Sequence, residues 1–232
     1  MEDRQNNLLK CIIEEYIKTA LPVSSSLIAE KYFSDLSSAT IRNEMAELEV
    51  AGYVMQPHTS AGRIPTLSGF KYYVDNLEVE EKLSAKDEDK LDELVLSNDR
   101  EDIKVLAKKL AELSNDAVVI GFSPLDIYHT GLSNLFSQPE FIDNESVCSM
   151  SQIIDGLDNI MERVYLTASD NGEVVLGNDN PFGDDCSAVV AKIIFDGEEI
   201  VVAILGPRRM DYSRNLSLID YIQKKLIRRL TN

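Results

Sequence analysis

The stretch SSATIRNEMAELEVAGYVMQPHTSAGRIPT, Ser37 to Thr66, constrains this chain more than any other. A serine at 37 or 38 supplies an N-cap and Gly52 a stop, so a helix of about 13 residues lies between two end signals. Ile41, Met45 and Leu48 fall at i, i+4 and i+7 on one face and point into a core. At about 100° per residue, Ala39, Asn43 and Ala46 fall on the opposite side, flanked by Thr40, Arg42 and Glu47. A face made only for solvent carries more Lys and Glu. Small residues beside one amide and one guanidinium let a helix backbone approach another surface closely, and such side chains can contact base edges. The competing reading is a chance cluster of alanines on a solvated helix.

The surroundings favour the first reading. Upstream, Leu8, Leu9, Ile12, Ile13, Tyr16 and Ile17 mark a helix over Arg4 to Thr19 that ends before Pro22. VSSSLIAEKYF is a short helix capped by one of Ser24 to Ser26, and FSDL connects it to the helix at Ser38. Three helices with a tight turn between the last two form a helix-turn-helix pattern, the third in the recognition position. After Gly52, YVMQPHTSAGRIPT reads as two short strands around a Ser60-Ala61-Gly62 turn. That is a wing, with Arg63 near its tip and available to a phosphate or a minor groove. Leu67, Phe70, Val74 and Leu77 mark a closing amphipathic helix.

The total charge opposes a nucleic-acid partner, since the net formal value is −17 over 232 residues. Its distribution changes the argument. Residues 1 to 77 hold 7 Lys and Arg against 10 Asp and Glu, and residues 37 to 73 hold 3 of each sign. With no strongly basic patch, affinity must rest on a few placed cations and backbone amides, so one head binds weakly and two copies are needed. The apolar content of 44% is enough for two modest cores. Cys11, Cys148 and Cys186 are isolated, and with two histidines they match no metal-site spacing, so no metal and no cofactor are expected. Cys11 reads as apolar filler, and unpaired thiols suit a reducing cytoplasm. No apolar run reaches 18 residues and no leader pattern opens the chain, so neither membrane nor secretion is expected.

Glu78 to Asp102 holds 11 acidic and 4 basic residues and reads as a solvated helical connector, with an acidic docking site as the alternative. Ile103, Leu106, Leu110 and Leu113 then mark a helix with one apolar face. AVVIGF is a buried strand, FSPLDIYHTGLSNLFSQPEF reads as irregular, and DNESVCSMSQIIDGLDNIMERV reads as one helix with Val147, Met150, Ile154, Leu157 and Met161 inward. RVYLTASD, EVVLGND and SAVVAKIIFDGEEIVVAILG supply three or four strands, the last two joined at Asp196-Gly197. A final helix carries Leu218, Ile222, Leu226 and Leu230 on one stripe. The division expected is 1–77, a winged-helix head; 78–114, an acidic helical connector; and 115–232, an α/β domain with a mostly antiparallel sheet. His129 lies beside no nucleophile motif, Asp184-Asp185 reads as a loop, and no phosphate or nucleophile-elbow motif occurs, so no catalytic residue and no enzyme activity are expected.

RQNNLLKCIIEEYIKTALPVSSSLIA, SSATIRNEMAELEVAGYVMQPHTSAGRIPTLSGFKYYVD, GLSNLFSQPEF and LGPRRMDYSRNLSLIDYI closely resemble, in order, the signature segments of the HrcA family of heat-inducible transcription repressors. The resemblance implies an α+β protein, a winged helix-turn-helix domain followed by a GAF-like α/β domain. It implies a homodimer on an inverted-repeat operator in double-stranded DNA ahead of chaperone operons, and dependence on the GroEL chaperonin. The chain departs from the family pattern between Phe122 and Gly131. Typical members carry further strands and an inserted dimerising domain there, whereas only Ser123 to Thr130 stands here, which puts the family's dimer interface in question. Ser24 to Ser26 stand where the family has Gly-Ser-Arg or similar, so a phosphate-contacting arginine is absent.

Ser38, Thr40, Arg42 and Asn43 are the candidates for major-groove contact, and His58, Arg63 and Lys71 for backbone or minor-groove contact. Thr59, Ser60 and Gly62 match the family's wing. Against these stand an Arg42 pair with Asp35, a turn position for His58, and a merely solvated Lys71. Two other functions remain open: a degenerate winged-helix module that contacts protein, and a small-molecule sensor using the GAF-like domain as a pocket.

Overall fold

The computed structural model describes residues 3–77, 83–94, 99–142, 144–177 and 180–230. It divides into two compact units, Met1–Leu77 and Glu78–Asn232.

In the first unit α1 (Asp3–Thr19), α2 (Ser25–Tyr32) and α3 (Ser38–Val50) precede a hairpin of β1 (Val54–Met55) and β2 (Ile64–Pro65), and α4 (Leu67–Asp75) follows. Leu8, Leu9, Ile12 and Ile13 from α1 meet Ile28, Ile41, Met45, Leu48, Val54 and Phe70 in the core. The helical spacing of each apolar set puts it on one face, and burial of those faces holds three short helices that are marginal alone. Val54 pairs with Pro65 and Met55 with Ile64. A one-residue bridge adds Val23 beside Arg63, with two backbone hydrogen bonds of 2.8 Å. Gly62 is required there, because a Cβ would collide with the Val23 carbonyl. On α4 the buried pair is Phe70 and Tyr73, while Leu67 and Val74 are half-buried and Leu77 lies beyond the helix end. The expected stripe therefore rotates, because α4 packs on α1 and β2 together and Tyr72 Oη donates to Asn6 Oδ1 at 2.8 Å.

The second unit is built on a five-stranded sheet: β3 (Ala117–Ser123), β4 (Asp126–Thr130), β5 (Glu173–Leu176), β6 (Cys186–Phe195) and β7 (Glu198–Pro207), ordered β4-β3-β7-β6-β5 and antiparallel throughout. Ala117, Val119, Ala188, Val190, Val201 and Ala203 share a core with α7 (Leu132–Phe136), α8 (Asn144–Asp155) and α9 (Leu157–Thr167). Their alternate neighbours Val118, Ile120, Val189, Val202 and Ile204 are just as buried and face the other way. On that side α6 (Arg100–Ser114) and α10 (Tyr212–Leu230) cover the sheet. Burial on both faces explains why the strands read as unbroken apolar runs. The β6–β7 hairpin turns at Asp196-Gly197 with φ of 51° and 80°, as a primed turn requires.

Several expectations change. Residues 123–141, read as irregular, contain β4, α7 and a 3-10 turn at Pro139–Phe141; the Ser123–Asp126 turn folds the short segment back on β3, so it supplies an edge strand itself. The single helix from Asp143 breaks at Gly156 into α8 and α9. RVYLT, read as a strand, is the end of α9, because Met161 and Val164 pack on the sheet and packing overrides β-propensity. The stretch 78–102 of the connector is not solvated throughout, since Leu91 of α5 (Ala85–Asp92) is buried within the second unit, whereas Ile103, Leu106 and Leu110 of α6 form the buried apolar face expected of them. Its residues 78–82 and 95–98 lie outside the described residues, as do Asn178, Asp179 and the Leu230 side chain.

Candidate nucleic-acid interface

Ser37 is the N-cap of α3: its hydroxyl accepts from Thr40 N at 3.1 Å, and the two hydroxyls lie 2.9 Å apart. The Thr40 hydroxyl is thus engaged in the cap, which leaves its methyl for an outside surface. Ser38, Ala39, Arg42, Asn43 and Ala46 are exposed, while Ile41, Met45 and Leu48 are buried. Among the described residues Arg42 forms no ion pair, so Asp35 is not its partner. A second cap, Ser24, starts α2: its hydroxyl accepts from Leu27 N at 3.2 Å.

Carboxylates on the flanks of α3 fix it in place. Glu44 is buried and lies 2.7 Å from Arg4 of α1, and Glu47 accepts from Gln5 at 2.8 Å. At the base of α2, buried Glu15 accepts from Lys31 at 2.6 Å and from the Tyr32 hydroxyl. These bonds, Lys31 first, hold its carboxyl below the usual carboxylate range. The head's few cations near the exposed face therefore stand among acids already paired.

Beyond α3, His58, Thr59 and Ser60 are exposed on the hairpin loop, with Ser60 at φ 70°. The His58 carbonyl accepts from Ala61 N at 3.0 Å, so His58 does open a turn. Arg63 stands at the base of the loop and not near its tip: it pairs with Val23 in the ladder, and its guanidinium meets Glu49 at 2.8 Å. Lys71 is half-buried on α4, and no ion pair holds it among the described residues. A cleft of about 500 Å³ lies between the α2 N-terminus, α3 and the loop, lined by Ser24, Ser26, Arg42, Gln56, Ser60 and Arg63. The geometry thus gathers Arg42, Ser60, Gly62 and Arg63 around one cleft and leaves Lys71 outside its lining.

Glu49 and Gln56 were invisible to sequence reasoning. They face Arg63 and Ala61 across a loop, and no helical or strand spacing relates those positions. The isolated cysteines differ in environment: Cys148 is exposed, while burial raises Cys11 to about 11 and Cys186 to about 12, which makes both poor nucleophiles. Among the described residues no group of three His, Cys, Asp or Glu side chains is placed to hold a metal, and no helix is long and apolar enough to cross a membrane.

The fold and this site define a two-unit α+β protein whose small helical head presents one exposed helix face beside a hairpin. Residues 76–216 match the family model of the HrcA protein C-terminal domain, and the chain belongs to that family. A relative from Halalkalibacterium halodurans, named heat-inducible transcription repressor HrcA, is 25% identical over 338 aligned positions that take in 100% of this chain and 98% of that protein. One of the same name from Symbiobacterium thermophilum is 43% identical over 141 residues, 61% of this chain and 38% of that protein. A crystal structure described as a hypothetical protein superposes with a TM-score of 0.82 at 20% identity, covering 100% of this chain and 99% of that one, a likeness of fold. Since 338 aligned positions accommodate 232 residues, about 106 of those positions hold residues of the first relative alone.

Proposed function

We propose that this chain is a heat-inducible transcription repressor that binds an inverted-repeat operator in double-stranded DNA as a homodimer, in the cytoplasm and without catalysis. The observation that carries the reading is the exposed face of α3, where Arg42 and Asn43 stand free among small residues beside a hairpin loop. In this reading the first unit is a winged helix-turn-helix domain. Ser38, the Thr40 methyl, Arg42 and Asn43 enter the major groove, and His58, Thr59, Ser60 and Lys71 meet the backbone or minor groove. The second unit is GAF-like, which the sheet order β4-β3-β7-β6-β5 with helices on both faces supports. Dependence on the GroEL chaperonin rests on family membership.

The dimer follows from the inverted-repeat operator that this reading assigns. A palindrome is read by two related heads, and two weak heads on one unit gain affinity that one lacks. The experiment is light scattering on the purified chain, alone and with duplexes enriched by it from a random pool. Two copies on one inverted-repeat duplex, weakening steeply with salt, is the expected result. A chain that stays single on every duplex overturns the dimer, and equal retention of scrambled duplexes overturns operator reading.

A further inference from the structure

The Glu49 carboxylate holds both ends of the hairpin loop against the last turn of α3. Its Oε2 lies 2.8 Å from Arg63 Nη2, and its Oε1 accepts from the Gln56 backbone N–H at 3.1 Å. Gln56 opens the loop and Arg63 closes it. Inside the loop the Gln56 side-chain amide donates to the Ala61 carbonyl at 3.0 Å. Outside it, the Arg63 backbone exchanges its two hydrogen bonds with Val23, the residue that leads into α2. One carboxylate therefore joins three pieces: the exposed helix, the loop and the approach to α2.

Arg63 is committed to this junction. Its side chain is only 15% exposed, and its Nε is buried without a partner. A guanidinium that gives up one hydrogen bond to keep its position is being held there by the rest of the contact. Among the described residues, the other cation lining the same cleft is Arg42, which is exposed.

We propose that Glu49 is the positioning residue of the interface: it sets the hairpin loop against α3, and Arg63 serves through Glu49 instead of meeting a phosphate. This deepens the DNA-binding reading and rests on it. The two possible roles of Glu49 have opposite signs. If Arg63 is a phosphate contact, Glu49 competes with the phosphate for it, and removing the acid tightens binding. If Glu49 positions the loop, removing it loosens binding even though a negative charge has left a surface that faces DNA.

The test uses the full chain and Glu49→Ala, Glu49→Gln and Arg63→Ala variants, with a labelled inverted-repeat duplex enriched by the wild type. Loss of a charge-assisted hydrogen-bond pair weakens binding about tenfold in Glu49→Ala. Glu49→Gln, which keeps an oxygen for the Gln56 N–H, recovers part of the loss. Arg63→Ala weakens binding while the slope of affinity against salt stays that of the wild type. Tighter binding by Glu49→Ala overturns the proposal, as does a slope lowered by about one charge in Arg63→Ala. Amide exchange at Gln56 in the free protein supplies a reading without DNA: it accelerates in Glu49→Ala, and an unchanged rate overturns the proposal. Should the wild type enrich no duplex, the DNA-binding reading fails while the Gln56 amide still decides whether Glu49 holds the loop.

Discussion

Two buried carboxylates, one in each unit, are treated in opposite ways. In the head, Glu15 sits in a core position but receives two donors, Lys31 and the Tyr32 hydroxyl, and its charged form is favoured. In the second unit, Asp116 at the start of β3 receives one amide donor, Asn215 Nδ2 at 2.9 Å. Burial pushes its carboxyl from 3.8 up to about 7, and Asn215 and Arg209 offset this only in part while Asp211 adds to the rise. Gly206 leaves the space that the Asp116 carboxyl fills, since a Cβ there would collide with it. The difference teaches that burial alone does not set the sign of a pH response. Depth of burial weighed against the donors aimed at the group does: desolvation leads at Asp116 and the Lys31 hydrogen bond leads at Glu15, so these two carboxylates should answer acid in opposite directions.

The largest expected effect is at Asp116. Between pH of about 4 and about 7 the folded unit keeps a proton that the unfolded chain releases, so stability falls as pH rises through that window and levels off above it. At about 1.4 kcal/mol per pH unit the full swing is about 4 kcal/mol. Amide exchange in β3 and β7, compared at about pH 5 and about pH 8, reads this directly. Asp116→Asn should flatten most of that dependence. A variant with the wild-type slope would break the contrast, because the carboxyl would then not be the group that titrates.

The next effect is at Glu15 and has the reverse sign. Its lowered folded value gives stability that is present above the ordinary Glu range and is lost as pH falls through the folded value. Glu15→Gln removes the charge that Lys31 and Tyr32 share and should cost about 2 kcal/mol at neutral pH, read on the amides of α1 and α2. The variant should also lose part of the head's acid sensitivity. An unchanged head at both pH values would mean that the bonds to Lys31 and Tyr32 contribute nothing net, as exposed pairs often do.

The same contrast explains what was legible in the sequence. Periodic features survive translation into structure: Ile41, Met45 and Leu48 on α3, the Ser37 cap, and the Asp196-Gly197 turn all depend on residues a few positions apart. Features that depend on distant partners do not. Nothing near Glu15 announces Lys31, nothing near Asp116 announces Asn215, 99 residues on, and nothing near Arg63 announces Glu49. Arg63 was legible as a cation beside a turn, but its distance from the tip was not, because the ladder with Val23 lengthens the loop's base. RVYLT misled for a related reason: its β-branched and aromatic residues suit a strand, yet the sheet offers them a helix-packing face.

The smallest expected effects on stability carry the sharpest division, between Ser37 and Asn43, at one helix terminus and six residues further along it. Ser37 faces inward chemically: its hydroxyl satisfies the Thr40 N–H, and Ser37→Ala should cost about 1 kcal/mol of head stability. It should leave the ranking of duplexes by affinity unchanged. Asn43 is exposed on the α3 surface, so Asn43→Ala should move stability by no more than about 0.5 kcal/mol. If its amide reads a base edge, that variant should lose about 1–3 kcal/mol of discrimination between matched and mismatched duplexes. Thermal unfolding and competitive duplex binding on both variants separate the two roles. A Ser37→Ala variant that changes duplex ranking would place the cap within the reading surface. An Asn43→Ala variant that binds all duplexes with wild-type preferences would remove α3's amide from that surface and leave Arg42 and the hairpin loop to supply whatever selectivity the head has.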